Sequence, residues 1–227
     1  MKTELIRVDA HSPDKSIIGR AAELIREGKL VAFPTETVYG LGANALDSSA
    51  VGKIFEAKGR SFSKPLAVCI SNFEQLNLIV REVTPVAKKL MEKFWPGPLT
   101  LILLKTDIIP SSVTCGAETL GIRFPDNRIA LEVIECANTP IALTSANLSG
   151  HPSPRTAQEV LADLGGRIDL ILDGGPTRIG VVSTVLDLTL KPPRILRKGA
   201  IDTPEINEVL KEAGFERQEN SHQRLNT

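Results

Sequence analysis

The sequence predicts an α/β domain built on a largely buried, mixed sheet. Three observations carry that prediction. Apolar runs of strand length recur at 30–33 (LVAF), 66–70 (LAVCI), 99–104 (LTLILL), 141–144 (IALT), 170–173 (LILD) and 184–188 (TVLDL). Segments with apolar residues at helical spacing fall between several of these runs. No internal repeat or low-complexity linker interrupts the 227 residues, so one domain fills nearly all of the chain.

The first helical segment, IIGRAAELIREGKL, sets Ile17, Ile18, Ala21, Leu24 and Ile25 on one face. Ser12 ahead of Pro13 predicts its N-cap, and Gly28 its stop. Further helices are expected over 48–58, 73–80, 84–94, 127–137 and 156–164. After Gly199, IDTPEINEVLKEAG reads as a last helix docked on the domain. The polar end, FERQENSHQRLNT, reads as frayed. The expected division is therefore a domain over 1–214 and a tail over 215–227. The spacing of the segments is too irregular to fix a strand order.

Composition narrows the function. The 27 basic and 27 acidic residues cancel, which argues against a protein that coats nucleic acid but leaves room for a local basic patch. Three cysteines, Cys69, Cys115 and Cys136, without CxxC spacing, argue against a disulfide scaffold and fit a reducing, cytoplasmic setting. No run reaches the length of a membrane span, and the N-terminus lacks a signal-peptide core.

Five polar clusters punctuate the apolar pattern. After the strand-like KLVAF comes PTETVYGLG, with hydroxyls on Thr35, Thr37 and Tyr39, the carboxylate of Glu36, and Gly40 and Gly42. KGRSFSKP holds Lys58, Arg60 and Lys64 with no acidic residue among them, so an anion such as a polyphosphate would relieve their repulsion. An ordinary exposed basic turn is the alternative. IALTSANLSGHPSP ends a strand in Ser145, Asn147 and Ser149, groups that bind phosphate or ribose without charge; turn chemistry is the competing reading for Ser149 and Ser153, and function is favoured for Ser145 and Asn147. ETLGIRFPDN puts Arg123 in a strand-like segment, where its partner is either a protein carboxylate or a ligand's. The fifth cluster joins Ser183 and Thr184 to Arg197 and Lys198.

The missing motifs are as informative. The chain has no GxxxxGK[ST], GxGxxG, HExxH or GxSxG, and its three histidines, His11, His151 and His222, are scattered. A protein-held zinc ion or a Ser-His-Asp triad is poorly supported, and no metal site is expected. Cations, hydroxyls and amides with few bases suit electrostatic stabilisation in phosphoryl or nucleotidyl transfer.

Taken together, FPTETVYGLGANA, Lys58-x-Arg60 with SKPL, TSANLSG with PSP, STVLDL and ILRKGAI resemble the YrdC-type threonylcarbamoyl-AMP synthases, in order and spacing from about Ser16 to Ile201. The resemblance implies a twisted open mixed sheet flanked by helices, with a concave, positively charged face. It implies an L-threonylcarbamoyladenylate synthase, a nucleotidyltransferase that joins L-threonine, bicarbonate and ATP, with Mg2+ on the ATP, and releases pyrophosphate. The product would feed tRNA threonylcarbamoyladenosine modification through a downstream threonylcarbamoyl transferase complex, and tRNA itself is a possible partner. Carried over by position, Lys58, Arg60, Ser145 and Asn147 match the family's nucleotide-binding tetrad, with Lys58 and Arg60 expected to be catalytic. Lys64, Thr119, Ser153 and Arg197 match further ATP contacts. Thr37, Arg123, Leu143 and Ser183 fall on the threonine side. Cys69 falls there too, where some members carry His; a small buried strand residue is its alternative reading. The chain reads as the family's short, single-domain form, with residues 59–65 expected as the mobile loop that shields the adenylate. The main rival is an RNA-binding module without chemistry. A hydrogenase-maturation carbamoyltransferase shares the fold, but its acylphosphatase-like and zinc-finger segments are missing here.

Overall fold

Ten strands and eight helices make up the residues described by the computed structural model, 2–215; the expected tail lies outside the described residues except for Phe215. The strands are β1 (Glu4–Arg7), β2 (Val31–Pro34), β3 (Tyr39–Asn44), β4 (Ala67–Cys69), β5 (Leu99–Leu104), β6 (Thr119–Arg123), β7 (Ile141–Ser145), β8 (Leu170–Asp173), β9 (Thr184–Asp187) and β10 (Arg194–Arg197). The helices are α1 (Lys15–Arg26), α2 (Ser48–Lys58), α3 (Phe73–Ile79), α4 (Pro85–Phe94), α5 (Ser111–Thr114), α6 (Arg128–Ala137), α7 (Ala157–Leu164) and α8 (Thr203–Glu212).

Short polar side chains start most of the helices by accepting their first free N–H groups. Asp47 caps α2, Asn72 caps α3, Thr84 caps α4 and Asn127 caps α6. Thr156 and Glu159 form a reciprocal capping box at α7. α1 departs from the expected start: its N-cap is Asp14, whose Oδ1 accepts from Ser16 N at 2.7 Å. Ser12 instead gives its N–H to Asp9 Oδ1 at 3.0 Å, so the cap falls two residues later than expected. Gly28, at φ 72°, follows the end of α1 in the left-handed region, as a stop glycine should.

The sheet order is β1-β8-β2-β3-β7-β4-β6-β5-β9-β10. Parallel pairs (β1 with β8, β8 with β2, β4 with β6, β5 with β9) occur beside antiparallel ones, which makes the sheet mixed and open as expected. Helices cover both faces. On one face α1 and α6 pack on each other and on β2, burying Ile18, Ala21, Ile25, Ile129 and Val133 against Val31, Phe33, Ile141 and Leu170. Each large aliphatic side chain so buried contributes about 1.5–3 kcal/mol. On the other face α2, α3, α4, α7 and α8 cover Ala32, Leu41, Val68, Leu101 and Ile122.

PTETVYGLG is where the fold differs most from a simple strand end. Residues 35–38 form a tight hairpin turn, and YGLGAN continues as β3, a central strand bonded to β2 and β7. Its glycines answer to packing. A Cβ on Gly40 would stand 2.8 Å from the Leu143 side chain, and one on Gly42 2.8 Å from Ile141 and 2.9 Å from Phe33. Glycine therefore lets side chains of the neighbouring strands cross the backbone of β3.

Candidate functional site

Side chains two apart on a strand share a face, and this period builds the site. Thr119, Gly121 and Arg123 of β6, Ala67 and Cys69 of β4, Thr100 and Ile102 of β5, and Leu143 and Ser145 of β7 all line one pocket of about 300 Å³. Ser183, just before β9, and Val185 within it extend the wall, and Arg197 closes it from β10. The pocket thus lies across the middle of the sheet, on the face whose other end is covered by α1 and α6. The sequence placed the polar groups at strand ends; the fold spreads them over the pleat of six neighbouring strands.

The hairpin turn supplies one wall. Thr35 Oγ1 donates to Val38 O at 2.7 Å and lies 2.9 Å from Thr37 Oγ1. With its one proton committed, Thr35 accepts from Thr37, which leaves the Thr37 oxygen as an acceptor at the pocket. Tyr39 donates to Gly175 O at 2.7 Å and receives Gly174 N at 3.2 Å, tying the turn to the loop after β8. Burial raises its phenol pKa, so it stays protonated.

Among the described residues three arginines reach the wall, and none of the lining side chains is a carboxylate. Arg60 lies on its own loop, with Nε on Lys64 O at 3.1 Å and Nη2 on Pro65 O at 3.0 Å. Arg197 donates from Nη2 to Ser183 Oγ at 3.0 Å, and that oxygen lies 2.8 Å from Thr100 Oγ1. Partial burial, then the charges of Arg123 and Arg60, hold Arg197 below the ordinary arginine value. Burial lowers Arg60 as well. Arg123 faces Glu36, Nη2 to Oε2, at 2.7 Å, with side chains 8% and 1% exposed. The buried arginine thus has a protein carboxylate as one neighbour and still lines the pocket.

The structure brings Thr37, Arg60, Cys69, Thr119, Arg123, Leu143, Ser145, Ser153, Ser183 and Arg197 to this wall. Lys58, Lys64 and Asn147 are not on it. Lys58 is 2% exposed and turns inward, donating to Ser145 O and Asn147 O. Burial, reinforced by the charge of Arg60, lowers its pKa to about 8. Asn147 donates from Nδ2 to Leu148 O and His151 O, each at 2.8 Å. Lys64 is exposed and lends its backbone carbonyl to Arg60. Cys69 is a buried strand residue whose thiol is pushed up to about 12 by burial, which leaves it without nucleophilic character at neutral pH. Residues 59–65 are internally tied by Arg60, by Ser61 Oγ against Ser63 Oγ at 2.7 Å, and by Phe62 stacked on Phe55 at 4.7 Å.

Sequence reasoning missed Thr100 and Gly121. Thr100 is the one polar side chain inside LTLILL, and that interruption was its signal. Gly121 and Ala67 form a low floor between Thr119 and Arg123. A Cβ on Gly121 would sit 3.3 Å from Thr100, so any larger side chain projects into the pocket. Gly121→Val should weaken binding at this site about 100-fold, measured by ligand titration, while the fold persists. Among the described residues no group of three or more His, Cys, Asp or Glu is placed to hold a metal ion. No helix among them is long and apolar enough to cross a membrane.

Comparison with known proteins agrees with this fold. A threonylcarbamoyl-AMP synthase of Pyrococcus abyssi is 55% identical over 85% of this chain and 56% of its own length. One of Bacillus subtilis is 50% identical over 92% of this chain and 62% of its own length. The chain therefore spans about three fifths of these relatives. The crystal structure of P. abyssi Sua5 complexed with L-threonine superposes with a TM-score of 0.89 at 52% identity, covering 91% of this chain and 61% of that one. Residues 23–199 match the Sua5/YciO/YrdC family, described as "Telomere recombination". With that match over most of its length, and a mixed sheet that superposes on a solved member, the chain belongs to the Sua5/YciO/YrdC family.

Proposed function

We propose that this chain forms threonylcarbamoyl-AMP and pyrophosphate from L-threonine, bicarbonate and ATP, as a nucleotidyltransferase serving tRNA threonylcarbamoyladenosine modification in the cytoplasm. The observation that carries the reading is a small pocket whose wall holds three arginines and several hydroxyls but no carboxylate. Such a wall favours ligands that bring their own negative charge, here an amino-acid carboxylate and a polyphosphate. The names of the relatives, and the threonine bound by P. abyssi Sua5, agree with it.

The chemistry asks little covalent work of the protein. The neutral amine of threonine takes up carbon dioxide derived from bicarbonate and becomes a carbamate, and the proton lost from nitrogen joins the hydroxide left by bicarbonate as water. A carbamate oxygen attacks the α-phosphorus, the bond to the bridging oxygen of the β-phosphate breaks, and pyrophosphate leaves. No protein nucleophile is needed, in keeping with the protonated thiol of Cys69. A wall without carboxylates holds no counter-ion for an ammonium group and so favours the reactive neutral amine. Arg60 and Arg197 would offset the charge spreading over the phosphates, with Thr119, Ser145 and Ser153 as neutral donors. Lys58 and Asn147 would act from behind that wall, and Lys64 from the exposed loop that carries Arg60. Arg123 would meet the threonine carboxylate, with Thr37, Cys69, Leu143 and Ser183 around the amino acid. Magnesium would arrive on ATP as part of the substrate, since the pocket offers no carboxylate ligands. A tRNA and a threonylcarbamoyl transferase complex would be the partners downstream.

The test is to incubate the purified chain with ATP, L-threonine, bicarbonate and Mg2+, without RNA, and follow pyrophosphate. Release that needs both threonine and bicarbonate supports the reading. Release indifferent to either would sink it. Thr37→Val removes the acceptor at the turn while keeping its shape, so the threonine requirement should rise about tenfold with the ATP requirement nearly unchanged. Equal changes in the two would refute this division of the pocket.

A further inference from the structure

Glu36 stands outside the chemistry above, yet its environment is unusual. Its carboxylate is 1% exposed. Its backbone cannot yield easily, because Glu36 O accepts Ile179 N and Thr37 O accepts Gly180 N, each at 2.8 Å, while Thr35 closes the turn around it. The nearest cation is Arg123, Nη2 to Oε2 at 2.7 Å. The N–H bonds of Nη2 do not point along that line. Among the described residues, neither Glu36 oxygen has a hydrogen-bonded partner, and neither has Nη2.

A buried carboxylate with both oxygens unmatched is costly, and a purely structural arginine pair would close into a two-pronged fork. Here the guanidinium is turned out of that fork. Its Nε points to Gly97 O at 3.4 Å, and the side chain lines the pocket. Glu36 thus supplies charge and a fixed contact behind Arg123 without occupying all of its donors. It also offsets one positive charge in a wall where Arg60, Arg123 and Arg197 repel one another.

We propose that Glu36 is a positioning residue that holds the Arg123 guanidinium from behind, leaving its remaining donors aimed at the carboxylate of an α-amino acid in the pocket. The inference rests on the reading that this pocket takes threonine beside Arg123. It predicts that Glu36 governs carboxylate recognition and leaves nucleotide binding alone, which a general structural role would not do.

The experiment compares the full chain with Glu36→Gln, which keeps the shape and removes the charge, and Glu36→Asp, which keeps the charge and withdraws it by one methylene. Calorimetric titration gives separate affinities for L-threonine, L-threoninamide and ATP. In Glu36→Gln, L-threonine should weaken about 10- to 100-fold, and the preference for L-threonine over L-threoninamide should fall in proportion. ATP should change less than about twofold, a shift too small for a misplaced contact to cause. Glu36→Asp should show the same pattern, and it provides the reading if Glu36→Gln does not fold. A wild-type preference for the carboxylate that survives in the folded variants overturns the positioning role alone, as does equal weakening of L-threonine and ATP. A wild-type chain that binds ATP but does not distinguish L-threonine from L-threoninamide overturns the amino-acid reading, and this inference with it.

Discussion

Arg60→Ala is expected to lower pyrophosphate release from ATP, L-threonine and bicarbonate about 100- to 1,000-fold, the usual cost of removing one preorganised charge from a transition state. The side chain is aimed in advance. Its Nε and Nη2 rest on the carbonyls of Lys64 and Pro65, four and five residues along the same loop. The loss should fall mainly on the rate, because charge grows on the leaving pyrophosphate during the step. Those two carbonyls belong to an exposed loop that water can satisfy, so the melting temperature should hardly move. Arg60→Lys tests the fork separately. A lysine restores a positive charge but not two parallel donors, and it should recover only part of the rate. Full activity in Arg60→Ala would remove this residue from the site.

Lys58→Met should be as damaging for a different reason. The ammonium lies behind the wall and joins the carbonyls of Ser145 and Asn147, where the chain leaves β7. Methionine fills the same space but takes the donor from both carbonyls, at about 1–3 kcal/mol for the buried one of Asn147 and less for the part-buried one of Ser145. For a chain of this size, each kcal/mol lowers the melting temperature by about 2–4 °C. Differential scanning calorimetry should therefore show a clear fall, together with loss of ATP binding as Ser145 shifts. A lysine that merely touched phosphate would give the second effect without the first.

The helices were legible because their signals are local. Asp47, Asn72, Thr84, Asn127 and Thr156 sit one residue ahead of apolar-periodic segments, and each caps the helix that follows. Asp14 displaced Ser12 because two acceptors lie within three residues and the anionic one suits a helix N-terminus better. β3 was hidden by its composition. Tyr39, Gly40 and Gly42 look like a turn until Phe33, Ile141 and Leu143 are seen crossing the glycines. β1 is a short edge strand, ELIR, too polar to stand out. Within the site, residue types marked Arg60, Arg123, Ser145 and Arg197 as separate candidates, the family resemblance grouped them, and the fold brings all four to one pocket. Burial they could not carry. Lys58 and Arg60 differ by two positions, yet one faces inward and the other the wall, a distinction set by where α2 ends at Gly59. The partner of Arg123, left open between a protein and a ligand carboxylate, proved to include Glu36, from a turn 87 residues earlier.

The strand order has a consequence in time. β5 forms its parallel pair with β9 and β9 pairs with β10, so the arginine contributed by β10 joins the wall only after nearly the whole domain exists. Thr37, far earlier in the sequence, waits for it throughout synthesis. Contacts of such long sequence separation form late and slowly. A nascent chain that has emerged as far as β8 can close the hairpin of β2 and β3 and pair both with their neighbours, but it carries only part of the binding wall. Competence for the nucleotide should thus appear abruptly, on release of the last strand, instead of growing with chain length.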